Sequence, residues 1–350
     1  MNTLVLLPTQ RGLRFARMES NGQSVGGEYI STSGTVAKLA DVTAALIALG
    51  QPSQVDLVAI RALYGGEAFP SPIMADSAAR ERLLGLGAQA PLCVGQTVDC
   101  MNAATVAFPG TPVALAFETS FFVDLPVRET TYALPPEMSE SIRRWGFHGL
   151  FHDAATSELG YRLRKTGLDR PARILSICLE SRPEIAAVYG RKPLLVTSGH
   201  KPAEGLPGET NAGEIDPAIA LAIAADPAYG PEGANAILTS KSGIHGLVGR
   251  KCSLAAVLES KKSRLARARS IILYRMLLAA GSAAAALEGL DGIVFSGRYA
   301  SSAPVVARYL VPQLELALAL PEGSLPWVIH DVPLESLVAE ATLPMLYATN

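Results

Sequence analysis

The 350-residue sequence is short of the features that would commit it to a metal cluster, a disulfide framework, a nucleic acid or a membrane. Its four cysteines, Cys93, Cys100, Cys178 and Cys252, include no CxxC pair and lie too far apart to suggest metal ligation, so they read as reduced, buried thiols. None of the five histidines falls in an HExxH or similar metal-ligand pattern. Charge of one sign is equally scarce. The 30 basic and 32 acidic residues leave a net charge of −2, so there is no global electrostatic case for nucleic acid or membrane partners. Long hydrophobic runs are missing too. The longest apolar region, Ile271 to Leu287, is broken by Arg275 and Gly281-Ser282, whereas a membrane span needs roughly 20 nearly uninterrupted apolar residues. It reads instead as a buried helix with small residues on its packing face. The opening MNTLVLLPTQ has no basic segment and too short an apolar stretch for a secretory signal, so the expected location is cytoplasmic.

What is present is a large apolar fraction, 49%, in a chain longer than one ordinary core, and two domains are expected. Thr3 to Leu7 and Arg14 to Glu19 read as a hairpin turning at Gly12. A helix follows over Val36–Leu49, a strand over Val55–Leu63, a helix over Asp76–Leu86 and a strand over Thr111–Phe117. The pattern returns after His148. It begins with a helix over His152–Thr166 and strands over Arg173–Leu179, Ile185–Tyr189 and Leu194–Thr197. Helices over Pro217–Ala225, Gly233–Lys241, Leu254–Leu258 and Arg264–Leu287 come next. A strand over Gly292–Ser296, a helix over Ala303–Leu310 and a strand over Trp327–His330 close it. Continuous apolar strands alternating with helices argue for α/β layers, and their recurrence argues for a duplicated architecture with a cleft between the halves. The basic run Lys261, Lys262, Arg264, Arg267 and Arg269 reads as a solvated helix start, with a phosphate-contacting face as the alternative.

Five segments are more specific. Arg143 to His152, RRWGFHGLFH, sets His148 between Phe147 and Gly149, and Ile60 to Phe69, IRALYGGEAF, places an arginine before a Gly-Gly turn. Glu204 to Pro217 (EGLPGETNAGEIDP), Thr239 to Gly249 (TSKSGIHGLVG) and Leu290 to Gly297 (LDGIVFSG) complete the set. In this order, over most of the chain, they resemble the acetate kinase (acetokinase) family of acyl kinases. The resemblance implies the duplicated two-domain actin/hexokinase-like, or ribonuclease-H-like, fold. One acetokinase-like domain would span 1–141 plus about 331–350, with Leu334 to Leu343 returning to it, and the other 142–330. ATP, Mg2+ and a short-chain carboxylate are the implied ligands, and a homodimer formed through the second domain is the implied assembly. The chain is shorter than the family leads one to expect, with the deficit between Arg14 and Val55.

Individual roles follow from the same resemblance. Arg61 matches the arginine that meets the substrate carboxylate, which its two-pronged guanidinium suits, although alone it also fits a surface-strand arginine. Leu63, Leu92, Phe147 and Pro202 match an apolar pocket for the acyl chain, and core packing explains them equally well in isolation. His148 matches the histidine donating to the transferring phosphoryl group, and His152 supports its loop.

Other matched positions differ. Leu7, Pro8, Thr9, Gln10, Arg11 and Gly12 stand where the family has an asparagine, Ala-Gly and a serine run, and neither leucine nor proline replaces those donors. Cys93 replaces a cleft histidine; a buried small hydrophobe is the default and a nucleophilic thiol the alternative. Glu118 replaces the catalytic aspartate with one more methylene. Leu179, Glu180, Ser181, Arg182, Pro183 and Glu184 replace the phosphate loop Leu-Gly-Asn-Gly-Ala-Ser, exchanging glycines that allow close backbone approach for two acids. Asn211 replaces an arginine that stabilises the transition state, a loss worth on the order of a hundredfold in rate. Gly297, Arg298 and Tyr299 open the nucleotide loop, where the two large side chains are expected to project into the adenosine pocket. Glu335 lies near a metal-associated glutamate.

Two readings result. One is a working acyl kinase with Arg61 on the carboxylate, His148 on the phosphoryl group, and Glu118 with Glu335 on magnesium. The other is a degraded nucleotide and phosphate site with weak or lost activity, or a non-catalytic ligand-binding or assembly subunit, a pseudoenzyme on the same fold. The accumulated losses weigh toward the second. A changed chemistry using Cys93 or the new acids is a third possibility.

Overall fold

The computed structural model describes residues 1–9, 12–19, 24–30, 39–48, 55–139 and 142–347. The chain divides into two compact units, Met1–Val123 with Pro333–Asn350, and Asp124–Val332.

The first unit holds β1 (Thr3–Thr9), β2 (Gly12–Met18), β3 (Ser24–Ile30), β4 (Leu57–Ala62), β5 (Ile73–Met74) and β6 (Val113–Phe117), in the order β3-β2-β1-β4-β6-β5. β1 to β3 form an antiparallel meander, β4 joins β1 in parallel and β6 joins β4 in parallel. The central strands LVLLP, LVAI and VALAF are continuous apolar runs with every residue buried, as sheets covered on both faces require. Helices Pro91–Ala107 and Leu334–Thr342 pack against this sheet. The first was not foreseen, yet its buried Val94, Val98, Met101 and Ala104 have helical spacing, and Pro91 at its start forfeits no intrahelical bond. Leu7, Pro8 and Thr9 do not form a loop. They end β1 and pair with Arg14, Leu13 and Gly12 of β2, while Gln10 and Arg11 lie outside the described residues. The helix expected over Val36–Leu49 is described over Leu39–Ala48.

The second unit holds β7 (Arg173–Cys178), β8 (Glu184–Tyr189), β9 (Lys192–Val196), β10 (Gly292–Ser296) and β11 (Trp327–Ile329), in the order β11-β10-β7-β8-β9. The construction repeats: an antiparallel meander of three strands, then β10 parallel to β7 and β11 parallel to β10. Helix Ser263–Ala286 buries Ala268, Ile272, Met276, Ala280 and Ala283 against this core. The stretch expected as one helix over Gly233–Lys241 is instead helix Gly230–Ala236 followed by a π-helical turn, Ile237–Lys241. Helix Ala303–Ala317 continues through Pro312, past its expected end at Leu310. Helix Pro217–Ala225 is composed of apolar residues alone and buries none of them. Among the described residues no helix is long and apolar enough to cross a membrane.

Candidate functional site

In the first unit Arg61 lies near the end of β4 and Glu118 directly follows β6, so both side chains leave the carboxyl ends of neighbouring parallel strands, where ligands of open α/β sheets bind. Arg61 Nε donates to Glu118 Oε1 at 2.5 Å, and Glu118 is wholly buried. The Glu118 amide also donates to the Ala62 carbonyl at 2.9 Å. The carboxylate therefore clamps one edge of the guanidinium. The two terminal nitrogens of Arg61 have no hydrogen-bond or ion-pair partner among the described residues. Beyond β4, Thr119 Oγ1 accepts from the amides of Gly65 and Gly66 at 3.0 and 3.2 Å, fixing the turn beside Arg61. A Cβ on Gly65 would fall 2.6 Å from the Phe117 ring, so only glycine fits there. Leu63 and Cys93 are half-buried in this unit; Leu92 sits in the first turn of helix Pro91–Ala107, with its side chain outside the described residues.

Glu335 opens helix Leu334–Thr342 and receives Arg14 Nη2 at 2.5 Å. Both carboxylates assigned to magnesium by the resemblance are thus held by guanidinium groups. Among the described residues no group of three or more His, Cys, Asp or Glu side chains is placed to hold a metal ion. Each acid meets its arginine through Oε1.

In the second unit the Phe147-His148-Gly149 loop is built around one carboxylate. Glu184, at the start of β8 and wholly buried, accepts from the amides of Phe147 (2.9 and 3.2 Å) and His148 (3.0 Å), and His152 Nε2 lies 3.3 Å away. His152 Nδ1 is 2.7 Å from Ser176 Oγ. Burial would raise the pKa of Glu184, but the bond from His152, the charges of both histidines and a bond from Ser198 overcome it and hold the carboxyl down to about 2. It anchors the His148 loop. His148 Nε2 lies 3.0 Å from the Arg182 carbonyl, which only accepts, so that nitrogen carries a hydrogen, while Nδ1 is buried without a hydrogen-bond partner.

The segment matching the phosphate loop folds onto its own neighbours. Glu180 Oε1 accepts from the Arg298 amide at 2.8 Å, and the Arg298 guanidinium lies 3.6 Å from Oε2. Tyr299 donates to Glu209, and burial together with that bond pushes its phenol up to about 12. Glu209 also takes the Leu254 amide at 2.9 Å, and its own amide donates to the Ser181 carbonyl at 2.7 Å. Gly297 has φ +93°, and a Cβ there would come within 2.8 Å of the Leu179 carbonyl oxygen. Asn211 is buried, its amide donating to the carbonyls of Ala203 and Leu206 at 3.3 and 3.2 Å. A Cβ on Gly208 would lie 2.3 Å from Asn211 Oδ1 and 2.5 Å from the Ser181 carbonyl oxygen, which shows how tightly the two loops close. Phe147 is buried and Pro202 half-buried in this unit.

The structure thus brings together Arg61 and Glu118 in one unit, and His148 with Arg182 and Glu180 with Arg298 in the other. Glu184 as anchor and Arg14 as the partner of Glu335 were missed. For Glu184 one signal existed: an acid opening a run of buried apolar residues must have donors somewhere.

A sequence model of the acetokinase family matches residues 9–320. Acetate kinase of Thermoanaerobacter pseudethanolicus is 30% identical over 269 residues, covering 75% of this chain and 66% of the relative. Acetate kinase of Clavibacter michiganensis subsp. michiganensis is 32% identical over 265 residues, covering 73% and 65%. The alignments thus span slightly under two thirds of those relatives. Among solved structures, an acetate kinase from Porphyromonas gingivalis superposes with a TM-score of 0.80 at 22% identity over 99% of both chains. A propionate kinase from Francisella tularensis gives 0.82 at 19% identity, over 98% of this chain and 99% of the other. The fold is therefore the duplicated actin/hexokinase-like α/β fold.

Proposed function

Because the chain belongs to the acetokinase family, we propose that it is an acetate-kinase-like protein that binds a short-chain carboxylate and transfers phosphate from ATP weakly or not at all. The carrying observation is the seat of Glu180 on the Arg298 amide and guanidinium. Phosphoryl transfer to a carboxylate relies on positive donors and backbone amides that meet the phosphate oxygens. In this loop an internal carboxylate already holds them, and a polyanion would have to displace it against like charge. Asn211 supplies no substitute donor, since its amide is spent on carbonyls. Arg61, by contrast, keeps its terminal nitrogens for a carboxylate.

Titration calorimetry separates the parts of this reading. Acetate or propionate should bind, Arg61→Gln should abolish that binding, and ATP with magnesium should give no micromolar association. Micromolar ATP binding, with ATP consumption that Arg61→Gln or His148→Ala removes, would sink the reading.

A second reading, an assembly subunit, is favoured by helix Pro217–Ala225, whose side chains include Ile219 at 51% and Leu221 at 70% exposure. Monomeric proteins rarely leave so contiguous an apolar surface bare. On this reading the protein is a cytoplasmic homodimer or part of a larger complex. Light scattering should give an oligomer that Leu221→Asp dissociates, and a monomer at all concentrations would refute it.

A further inference from the structure

The second unit holds a dense cluster of titratable side chains outside the loops described above, made of Glu129, Tyr132, Arg144, His200 and Glu204, and Arg144 is its hub. Nη1 of Arg144 donates to the Ser198 carbonyl at 2.9 Å, and Nη2 lies 3.0 Å from Glu204 Oε1. Nε lies 3.8 Å from Glu129 Oε1, and the guanidinium sits over the Tyr132 ring, 5.2 Å from its centre. One side chain thus ties residues 129–132 to residues 198–204.

The partners also hold one another. Tyr132 donates to Glu204 Oε2 at 2.5 Å and accepts the His200 amide at 2.8 Å, while Glu129 Oε1 accepts the Val196 amide of β9 at 3.1 Å. Burial and the bond to Glu204 push the Tyr132 phenol up to about 12, so it remains a donor. A Cβ on Gly199 would fall 1.7 Å from Glu204 Oε2 and 2.5 Å from the Tyr132 hydroxyl, so only glycine fits beneath the cluster. Backbone bonds align the same segments. The Arg144 amide donates to the Thr130 carbonyl at 2.9 Å, and the Trp145 amide to the Gly199 carbonyl at 3.1 Å. Shortly beyond Trp145 stands buried Phe147, and shortly beyond Gly199 stands half-buried Pro202, the two positions of this unit matched to the acyl chain.

We propose that Arg144 is a positioning residue that sets, through Ser198 and Glu204, where Pro202 stands relative to Phe147 and thereby how long an acyl chain is admitted. The proposal rests on the carboxylate reading above. A planar guanidinium serves several acceptors in fixed directions, which an ammonium on a flexible stem does not. Lysine is therefore no substitute here.

The test is calorimetry of the full chain with acetate, propionate and butyrate, repeated on variants that each show a cooperative melt. The native chain should prefer the shorter acids to butyrate, and Arg144→Met should narrow the acetate-to-butyrate affinity ratio roughly tenfold. Arg144→Lys should narrow it nearly as much although the charge is kept. Tyr132→Phe, which removes only a hydroxyl and answers the question if Arg144→Met does not fold, should narrow it roughly threefold. In a Pro202→Ala background, Arg144→Met should add nothing to the change in ratio, because both act on one contact. Equal weakening of all three acids, an unchanged ratio, or additive effects in the double variant would overturn the positioning role and leave the carboxylate reading standing. No binding of any of the acids by the native chain would sink that reading, and this proposal with it.

Discussion

The two units use one strand order and one chemical pair, a glutamate against an arginine, to opposite ends. In the first, Glu118 grips Arg61 through Nε and leaves its terminal nitrogens without a hydrogen-bond partner among the described residues. In the second, Glu180 takes both the amide and the guanidinium of Arg298. The first arrangement presents a cation and the second consumes one. Side-chain identity alone does not say whether an acid activates or blocks a site; which atoms of the arginine it occupies does.

The largest effect should come from Glu184, the buried acceptor of the His148 loop. Glu184→Ala strips several donors of their acceptor and should cost about 3–5 kcal/mol in urea unfolding, as breaking a buried charged pair does. A loss within experimental scatter would show that the His148 loop is anchored otherwise. The same carboxyl gives a pH signature. Its folded pKa is about 2 against an ordinary 4.5, so its contribution is complete above pH 4.5 and fades as pH falls through about 2. The melting temperature of Glu184→Gln should fall less steeply across that window than that of the native chain, with Asp291 supplying acid sensitivity common to both.

Next in size, Glu118→Ala should destabilise by about 2 kcal/mol and weaken propionate binding, because a buried charged hydrogen bond is lost and Arg61 is released. Tighter propionate binding would mean that the clamp restrains Arg61 and does not present it. Replacing Glu180 and Arg298 together by glycine should improve ATP affinity roughly tenfold by freeing backbone donors. Unchanged nucleotide binding would place the obstruction elsewhere. Smallest of all, Glu335→Gln should change stability by less than about 1 kcal/mol, since its partner Arg14 is partly exposed. A larger loss would give that pair the standing of the buried ones.

Much of this was legible beforehand. Strand β10 and helix Pro217–Ala225 fall on their expected residues because apolar periodicity and the flanking Asp216-Pro217 are local signals. Helix Pro91–Ala107 escaped because threonine, glycine and cysteine blur its apolar stripe. β3 escaped because Gly26 and Gly27 break its alternation, and both pack where a side chain would meet Phe15 or its carbonyl. At the candidate site Arg61 and His148 could be picked out from their neighbours in sequence. Glu184 could not be understood that way, because its acceptor role depends on amides 36 and 37 residues distant.

Glu184 also constrains the order in which this sequence can change. A serine reinstated there alone would remove the acceptor from Phe147 and His148 before anything replaced it. Rebuilding a glycine-rich loop between β7 and β8 by single steps therefore passes through a weakened chain. The substitution works as a ratchet, and a library meant to build a glycine-rich loop there would have to vary positions 180, 184 and 298 simultaneously.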